Sequence, residues 1–269
     1  YEREGALFGR EGTQTLQPRV FYVYTPYEDQ SMFPLFDTAE AGFNFAQIFS
    51  ENRFIGSDRV ADANQVTAAL TSRFLSQDGA EQLRLTLGQR FYFREQRVQL
   101  DPNQQRTDTR SDLLAVASGR IDDDWSFDSA VQYDASAKQT FSSNYGVQWR
   151  PGDKKVINAE YRYLRDTFKN VDLSSQWPLS MRWYGVGRVS YSVKDHKILE
   201  SLLGLEYRAD CWVFRMGAQR FVTTLRNTST PIFFQLELNG LSKLGFGNPL
   251  ESFYNSIPGY TRLNPGFGR

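Results

Sequence analysis

Large apolar and polar residues alternate along almost the whole chain with a period of two, the pattern of a β-strand with two different faces. The pattern predicts twelve strands, at residues 15–24, 64–75, 82–93, 111–121, 124–135, 139–150, 155–165, 169–177, 183–193, 199–208, 211–222 and 231–240. Most are about 9–12 residues long, whereas strands of globular proteins have about 5–6 and tilted membrane-spanning strands about 9–11. Strand length therefore favours a chain that crosses a membrane.

The two faces differ in the same way from strand to strand. In 82–93, Leu83 and Leu85 lie on one side and Arg84 on the other. A soluble β-sandwich has the same period, but its polar face is the outside, where Lys and Glu are common. Here the polar faces are rich in Arg, Gln, Asn, Ser and Gly, and Lys is scarce, which favours a water-filled lumen. The predicted fold class is an all-β transmembrane antiparallel β-barrel.

Short turns alternate with longer connections, the longest of which are residues 25–63 and 94–110. Outer-membrane barrels have short periplasmic turns and longer extracellular loops. The pattern therefore predicts an outer-membrane barrel over residues 1–240, with a long extracellular loop at 25–63. An even number of strands then returns residues 241–269 to the periplasm as a C-terminal tail.

Charge and hydropathy argue against some classes of protein and are compatible with a barrel. The 269 residues carry 31 acidic and 31 basic side chains, a neutral balance that argues against a nucleic-acid-binding protein relying on bulk charge. No run of about 18 apolar residues is present, so no transmembrane helix is expected. A mean hydropathy of -0.52 is compatible with a barrel, since lipid-facing and lumen-facing residues average out. Aromatic residues form 15% of the chain, which suits aromatic girdles at a membrane interface.

The chain holds little catalytic or metal-binding chemistry. Its single histidine, His196, and its single cysteine, Cys211, provide neither a Ser-His-Asp triad nor a Cys/His metal cluster. We therefore expect no enzyme activity, no metal and no cofactor. The chain begins at Tyr1 without Met, which indicates a processed or excised piece of a longer protein.

Segment 42–50, Gly-Phe-Asn-Phe-Ala-Gln-Ile-Phe-Ser, is apolar for a loop. Phe45, Ile48 and Phe49 share one face if the segment is helical. Two interpretations are open: a short helix that caps or folds into the barrel mouth, or a contact with a lipidic cargo.

An ordered series of segments resembles one known family. The longest is Phe43-Asn-Phe-Ala-Gln-Ile-Phe-Ser-Glu-Asn-Arg-Phe54, followed by Gly56, Asp58-Arg59 and Asp62-Ala-Asn-Gln65. The others are Gly88-Gln-Arg-Phe-Tyr-Phe93, Leu173-Ser-Ser-Gln-Trp-Pro-Leu179, Trp183-Tyr-Gly-Val-Gly-Arg-Val-Ser-Tyr191 and Leu199-Glu200 with Gly204-Leu-Glu-Tyr207. Together they resemble the C-terminal barrel of the lipopolysaccharide-assembly outer-membrane protein family LptD.

The resemblance implies a very large barrel of about 26 strands, of which this chain supplies about the C-terminal half. It implies delivery of lipopolysaccharide to the outer leaflet of the Gram-negative outer membrane. The partners implied are an LptE-like plug lipoprotein inside the barrel, outer-membrane lipid, and a periplasmic transport bridge reached through a missing N-terminal domain. A half barrel leaves two unpaired strand edges in hydrocarbon, so the segment is not expected to exist alone in a membrane.

In this family the cargo is expected to leave through a lateral gate between the first and last strands. The last predicted strand here is Ile232–Gly240, and its outward side chains are Ile232, Phe234, Leu236 and Leu238. Candidate lumen contacts are the charged residues Arg84, Arg162, Arg188, Glu206 and Arg215. They either pair with the plug or the anionic cargo, or simply solvate the lumen.

Cys211 lies in the short turn before Trp212. In the resembled family, cysteines at this turn form disulfides with the N-terminal region and usually occur as an adjacent pair. Here Trp212 takes the second place, so the resemblance implies one disulfide, from Cys211 to a cysteine outside this chain. The alternative is a free thiol buried beside Trp212.

Two other classes share the alternation. A porin or substrate-specific outer-membrane channel has the same strands, girdles and loops, and it would be a complete closed barrel. A soluble β-sandwich or barrel that binds small ligands has the same period.

Overall fold

A computed structural model describes residues 1–7, 9–101, 108–222, 228–238 and 241–264. They are almost wholly β, so the all-β prediction is confirmed. The strands are β1 (Glu2–Leu7), β2 (Arg10–Thr25), β3 (Ala39–Glu40), β4 (Phe54–Ile55), β5 (Ala63–Ser76), β6 (Glu81–Tyr92), β7 (Leu113–Arg120), β8 (Trp125–Asp134), β9 (Gln139–Gly152), β10 (Lys155–Leu164), β11 (Phe168–Pro178), β12 (Trp183–Ser192), β13 (Lys197–Arg208), β14 (Trp212–Val222), β15 (Thr228–Ser229), β16 (Ile232–Leu238) and β17 (Ser242–Phe246). In the described residues the one α-helix is α1 (Pro249–Ser256).

Each of the predicted strands is present, with shifted ends. The alternation pattern missed β1 and β17, and it began β2 too late. Residues 102–107 of the predicted loop at 94–110 lie outside the described residues, as do residues 223–227 between the last two predicted strands. So do residues 239–240, which end the last predicted strand.

The long strands form one sheet in the order β1-β2-β5-β6-β7-β8-β9-β10-β11-β12-β13-β14-β16-β17, and β15 pairs with β14. Strands β3 and β4 form a separate ladder. The registers that the structure gives are antiparallel, from β1–β2 at one edge to β16–β17 at the other. Among the described residues, no helix has the length and apolarity that a membrane crossing requires.

The described residues divide into two compact units. The first unit contains residues 1–119 and 129–143, and the second contains residues 120–128 and the described residues from 144 onward.

The largest connection of the first unit joins β2 to β5. It holds the β3–β4 ladder and a turn in which the Ile48 N–H donates to the Asn44 carbonyl at 2.8 Å. The Asn44 side chain accepts the N–H groups of Ala46 and Gln47. The short helix expected in segment 42–50 is therefore a single turn, and its Ile48 is fully buried.

This turn is held against β5 and β6. The Ile48 carbonyl accepts hydrogen bonds from the Thr67 hydroxyl and from the Arg90 guanidinium. Arg90 also donates to the Gln47 carbonyl. The apolar side chain of Ile48 thus packs within the chain, and contact of segment 42–50 with a lipidic cargo stays a prediction.

In the second unit, β13 and β14 have faces of opposite character. Glu206 and Arg215 are partners across the two strands and are 0% and 1% exposed. On the other face Leu203 is 74% exposed and Met216 is 43% exposed. The charged face is buried and the apolar face is open, which is the reverse of a sheet that faces water.

Residues 249–264, here called the C-terminal segment, cover this buried face. The segment begins with α1, which is capped by the Asn248 side chain and has Pro249 in its first turn. Phe253 and Ile257 are both fully buried. They belong to an apolar cluster of Val156, Val186, Leu202, Phe233, Leu250, Phe253, Ile257 and Tyr260.

Residues 241–264 of the predicted tail at 241–269 therefore contain more structure than expected, and residues 265–269 lie outside the described residues. The tail begins with β17, which pairs with β16 and extends the sheet past residue 240. It continues with the C-terminal segment packed on the polar face of the sheet. The sequence pattern missed this because the packing depends on contacts far apart in the chain. The periplasmic location of these residues stays a prediction.

Candidate functional site

A buried charge network lies on the inner face of β13, β14 and β16. Arg215 donates through Nε to Glu206 Oε1 at 2.9 Å and through Nη1 to Glu237 Oε2 at 2.6 Å. Alternation places all three side chains on one face, and the antiparallel registers bring them together. A buried charge is tolerated only when it is paired in this way.

Tyr260 of the C-terminal segment completes the network. Its hydroxyl donates to Glu206 Oε1 at 2.6 Å. Burial raises the pKa of the Tyr260 hydroxyl, and the neighbouring Glu206 carboxylate raises it further. The hydroxyl therefore remains a protonated donor at neutral pH.

A second charge cluster lies on β10, β11 and β12. The buried Asp172 carboxylate accepts from Arg162 at 2.8 Å and from Arg188 at 3.1 Å. Glu160 lies 3.7 Å from Arg162. Arg188 also donates to the Ser256 carbonyl at 3.2 Å, which links this cluster to the C-terminal segment.

Four of the five predicted lumen residues thus lie in two charge clusters of the second unit: Arg162, Arg188, Glu206 and Arg215. The fifth, Arg84, lies in the first unit and pairs with Glu81 at 2.9 Å. Glu206 and Arg215 are both buried and bonded within the chain. Contact of the five with a plug or cargo stays a prediction.

Sequence reasoning missed the amides that bind the C-terminal segment. Asn158 Nδ2 donates to the Pro258 carbonyl at 2.9 Å. Gln176 Nε2 donates to the Thr261 carbonyl at 2.9 Å, and Gln176 Oε1 accepts the Thr261 N–H at 2.9 Å. The apolar spacing of Leu250, Phe253 and Ile257, at i, i+3 and i+7, was the available signal for a helix with one buried face.

The outer face carries an aromatic belt, defined here as Trp125, Trp149, Trp177, Trp183, Tyr207 and Trp212. Ring centroids are 5.6 Å apart for Trp125–Trp149 and for Trp149–Trp177. They are 4.9 Å apart for Trp183–Tyr207 and 5.2 Å apart for Tyr207–Trp212. The belt includes all 5 tryptophans of the sequence. Each lies next to one of the short turns β7–β8, β9–β10, β11–β12 and β13–β14, which are all at the same end of their strands. Rings with an apolar body and a polar tip gather where hydrocarbon meets water.

Cys211 lies at the edge of the belt, in the turn between β13 and β14. It is exposed and forms no disulfide within the chain. The alternative, a thiol buried beside Trp212, is therefore wrong. The expected bond to a cysteine outside the chain stays a prediction.

The predicted gate residues lie on the outer face of β16. Ile232 and Phe234 are exposed, whereas Phe233 and Gln235 are buried. Leu236 and Leu238 continue the outer face. However, β17 lies beyond β16, so the strand beginning at Ile232 is not the edge of the described sheet.

In the first unit, the long loop encloses a cavity of about 290 Å³ beside β6. Its lining mixes aromatic, amide and charged side chains, among them Phe43, Asn52, Arg53, Arg90 and Gln132. Within the described residues, no group of three His, Cys, Asp or Glu side chains is placed to hold a metal ion.

Polar residues of the longest resembling segment hold this loop together. Asn52 Oδ1 accepts the N–H groups of Phe54 and Ala61. Asp62 accepts two N–H groups of the connection after β6, from Arg97 and Val98. These loop residues therefore have a structural role.

Asp58 fixes another part of the same loop. Its carboxylate accepts the backbone N–H groups of Asp37 at 2.8 Å and Phe36 at 2.7 Å. These two hydrogen bonds lower the pKa of Asp58. The carboxylate is thus the form that closes the loop.

Comparison with known proteins agrees with this architecture. Residues 1–183 match the family model described as "LptD: LPS transport system D". The chain belongs to the LptD family. It is 48% identical over 265 residues to the "LPS-assembly protein LptD" of Aromatoleum aromaticum, covering 98% of this chain and 34% of the relative. The protein of the same name from Thiobacillus denitrificans is 47% identical over 265 residues, again 98% of this chain, and 36% of that relative. The chain thus spans about a third of the length of the curated LptD relatives it matches.

The buried network of the LptD chain makes a first prediction. Arg215→Ala leaves the buried Glu206 and the partly buried Glu237 without their cation, so we expect a loss of about 3–5 kcal/mol in stability. The control is Arg220→Ala, which removes an exposed arginine from the same strand. Adding Glu206→Gln to Arg215→Ala should recover part of the loss, because it removes one uncompensated charge. Urea unfolding of the full-length protein in bilayers measures the difference. Equal effects of Arg215→Ala and Arg220→Ala would show that the network does not stabilise the fold.

Proposed function

We propose that this chain is part of an outer-membrane transporter that delivers lipopolysaccharide to the outer leaflet of the cell envelope. One observation carries the proposal: the second unit has a buried charged face, and its open face is apolar and bordered by an aromatic belt. Contiguous exposed apolar surface is rare on soluble monomeric proteins and marks a site of contact with a protein or a membrane. It is the surface that a membrane-spanning sheet presents to hydrocarbon.

The cargo follows from the family rather than from a bound ligand. Relatives of this chain carry the name LPS-assembly protein LptD. Lipopolysaccharide joins anionic sugars to acyl chains, so its transport needs a polar route beside an apolar one. A strand sheet with one polar and one apolar face provides both. The family assignment supports transport and assembly rather than catalysis, and it gives the porin interpretation no support.

The partners proposed are those of the complete protein. A plug lipoprotein of the LptE kind would occupy the lumen, because a very large barrel leaves space inside. The N-terminal part of the protein, which lies outside this chain, would connect to the periplasmic transport bridge. Arg84, Arg162 and Arg188 are the partly exposed cations that would meet the plug or the anionic cargo.

The lateral gate is proposed at the end of the sheet formed by β16 and β17. Ile232, Phe234, Leu236 and Leu238 form its lipid-facing surface behind the edge strand. An edge strand offers free N–H and C=O groups for pairing with the first strand of a complete barrel.

The membrane assignment is tested with two methionines. Met216 lies four residues from Trp212, a rise of about 13 Å along the strand, which is about half of the roughly 25 Å apolar band of such barrels. We expect Met216→Arg to cost about 2–4 kcal/mol and to reduce folded protein in the outer membrane. Met181→Arg, in the turn between β11 and β12 at 91% exposure, should be neutral. Heat-modifiable mobility of the full-length variants measures folding. If Met216→Arg were as harmless as Met181→Arg, the outer face would lie in water and the membrane assignment would be wrong.

The gate is tested with a reversible disulfide. A cysteine at Leu244 of β17, paired with one on the first barrel strand of the complete protein, should stop lipopolysaccharide from reaching the cell surface until reductant is added. The matched control is a disulfide between positions 205 and 216, where Leu205 and Met216 are cross-strand partners on the same outer face. Normal lipopolysaccharide export while the disulfide at position 244 is closed would rule out this gate. A block by the control would show that any lipid-facing crosslink is harmful.

The disulfide of Cys211 is tested in the full-length protein. If Cys211 is bonded to a cysteine outside this chain, non-reducing electrophoresis should show a mobility shift that disappears with reductant and in Cys211→Ser. Cys211 is exposed in the described chain, so a free thiol would react readily with an alkylating reagent. Ready alkylation of the wild type without reductant would contradict the proposed bond.

A further inference from the structure

The C-terminal segment contacts a continuous series of strands from the inner face. Its backbone carbonyls accept hydrogen bonds from side chains on β9, β10, β11 and β12: Gln148 and Asn158 to Pro258, Gln176 to Thr261, and Arg188 to Ser256. Its Tyr260 hydroxyl donates to Glu206 of β13. One short segment therefore ties together strands that are otherwise joined only to their immediate neighbours.

Apolar contacts continue the series. Phe253 packs over Gly204 of β13, where an added Cβ would lie 2.3 Å from the Phe253 ring. The Phe253 ring centroid is 5.9 Å from that of Phe233 on β16. Leu263 is buried in a cluster with Tyr184 of β12 and Val213 of β14. The described partners of the segment thus lie on β9 to β14 and on β16.

Strand β17 differs from its neighbours. All 5 of its residues are exposed, and in the sheet it pairs with β16. Gly247, with φ of +74°, and Asn248 connect it to α1. None of the contacts to the C-terminal segment named above comes from β17, so β17 is linked to the segment through this connection.

We propose that the C-terminal segment is an internal strap that holds β9 to β14 and β16 against one another and leaves β17 as the strand free to separate. Tyr260 is its positioning residue, because it joins the strap to the buried charge network. Separation of any two strapped strands would break contacts to the strap as well as ladder hydrogen bonds. Separation of β17 breaks its ladder with β16 and none of the contacts to the strap named above.

Hydrogen exchange of the full-length protein in bilayers tests the strap. In the wild type, amides of the C-terminal segment and of β13 should exchange slowly, and those of β17 faster. Tyr260→Phe removes the bond to Glu206 and should speed exchange in residues 249–264 about tenfold or more. Tyr254→Phe is the control, because Tyr254 is 57% exposed on the same segment.

A second pair of variants tests the apolar contact. Gly204→Ala should displace Phe253 and speed exchange in the segment in the same way. Gly187→Ala is the control, because its added Cβ would meet only the Leu202 carbonyl at 3.7 Å. Heat-modifiable mobility confirms that each variant still folds. If a variant fails to fold, the wild-type comparison of β17 with β13 still decides.

Three results would overturn the proposal: fast exchange of the segment in the wild type, β17 as protected as β13, or unchanged exchange in folded Tyr260→Phe and Gly204→Ala. None of these measurements depends on lipopolysaccharide. The strap and the transport function therefore fail or succeed separately.

Discussion

Arg215 is held by groups from three separate parts of the chain: Glu206 of β13, Glu237 of β16 and, through Glu206, Tyr260 of the C-terminal segment. A guanidinium that is 1% exposed needs this compensation, because an unpaired buried charge costs several kcal/mol. This need for charge compensation constrains the positions of whole strands as well as of side chains. A slip of one residue in β13 or β16 would turn its carboxylate to the outer face, so the network specifies the registers of three strands. It also specifies where the C-terminal segment lies, since only there does Tyr260 reach Glu206.

The outer face imposes the opposite condition. In hydrocarbon a strand must bond all its backbone groups to neighbouring strands and present apolar side chains, which the long antiparallel ladders achieve. The same condition leaves polar residues no place except the inner face, where they bond to one another or to the C-terminal segment. The aromatic belt marks the boundary of the hydrocarbon-facing surface, because its rings suit both hydrocarbon and water. Buried charge and exposed leucine are thus two results of one environment.

The alternation of side chains predicted the long strands and their faces because a period of two is local and repeats in every strand. The buried network was visible only in part. Glu206 and Arg215 were identified as inward residues, but Asp172, Gln176 and Tyr260 were missed because their partners lie between 10 and 85 residues away. Strand β17 and α1 were read as a tail, since Ser242–Phe246 is short and an eight-residue helix gives a weak periodic signal. The end of a sheet is set by what pairs with it, and this information does not lie within the strand itself.

The residues that carry the family resemblance in the long loop have a physical reason to be specific. A lipid-facing leucine is replaceable by many apolar side chains, because contact with hydrocarbon requires only an apolar surface. Asn52, Asp58 and Asp62 each accept two or more backbone N–H groups, from the same loop for Asn52 and Asp58 and from the connection after β6 for Asp62. Only a short side chain with acceptors at the right distance can do this. A loop closed by such bonds therefore has a recognisable sequence. In this chain the most specific motif shows how a loop is held together, and the proposed membrane function depends on the two-faced sheet of the second unit.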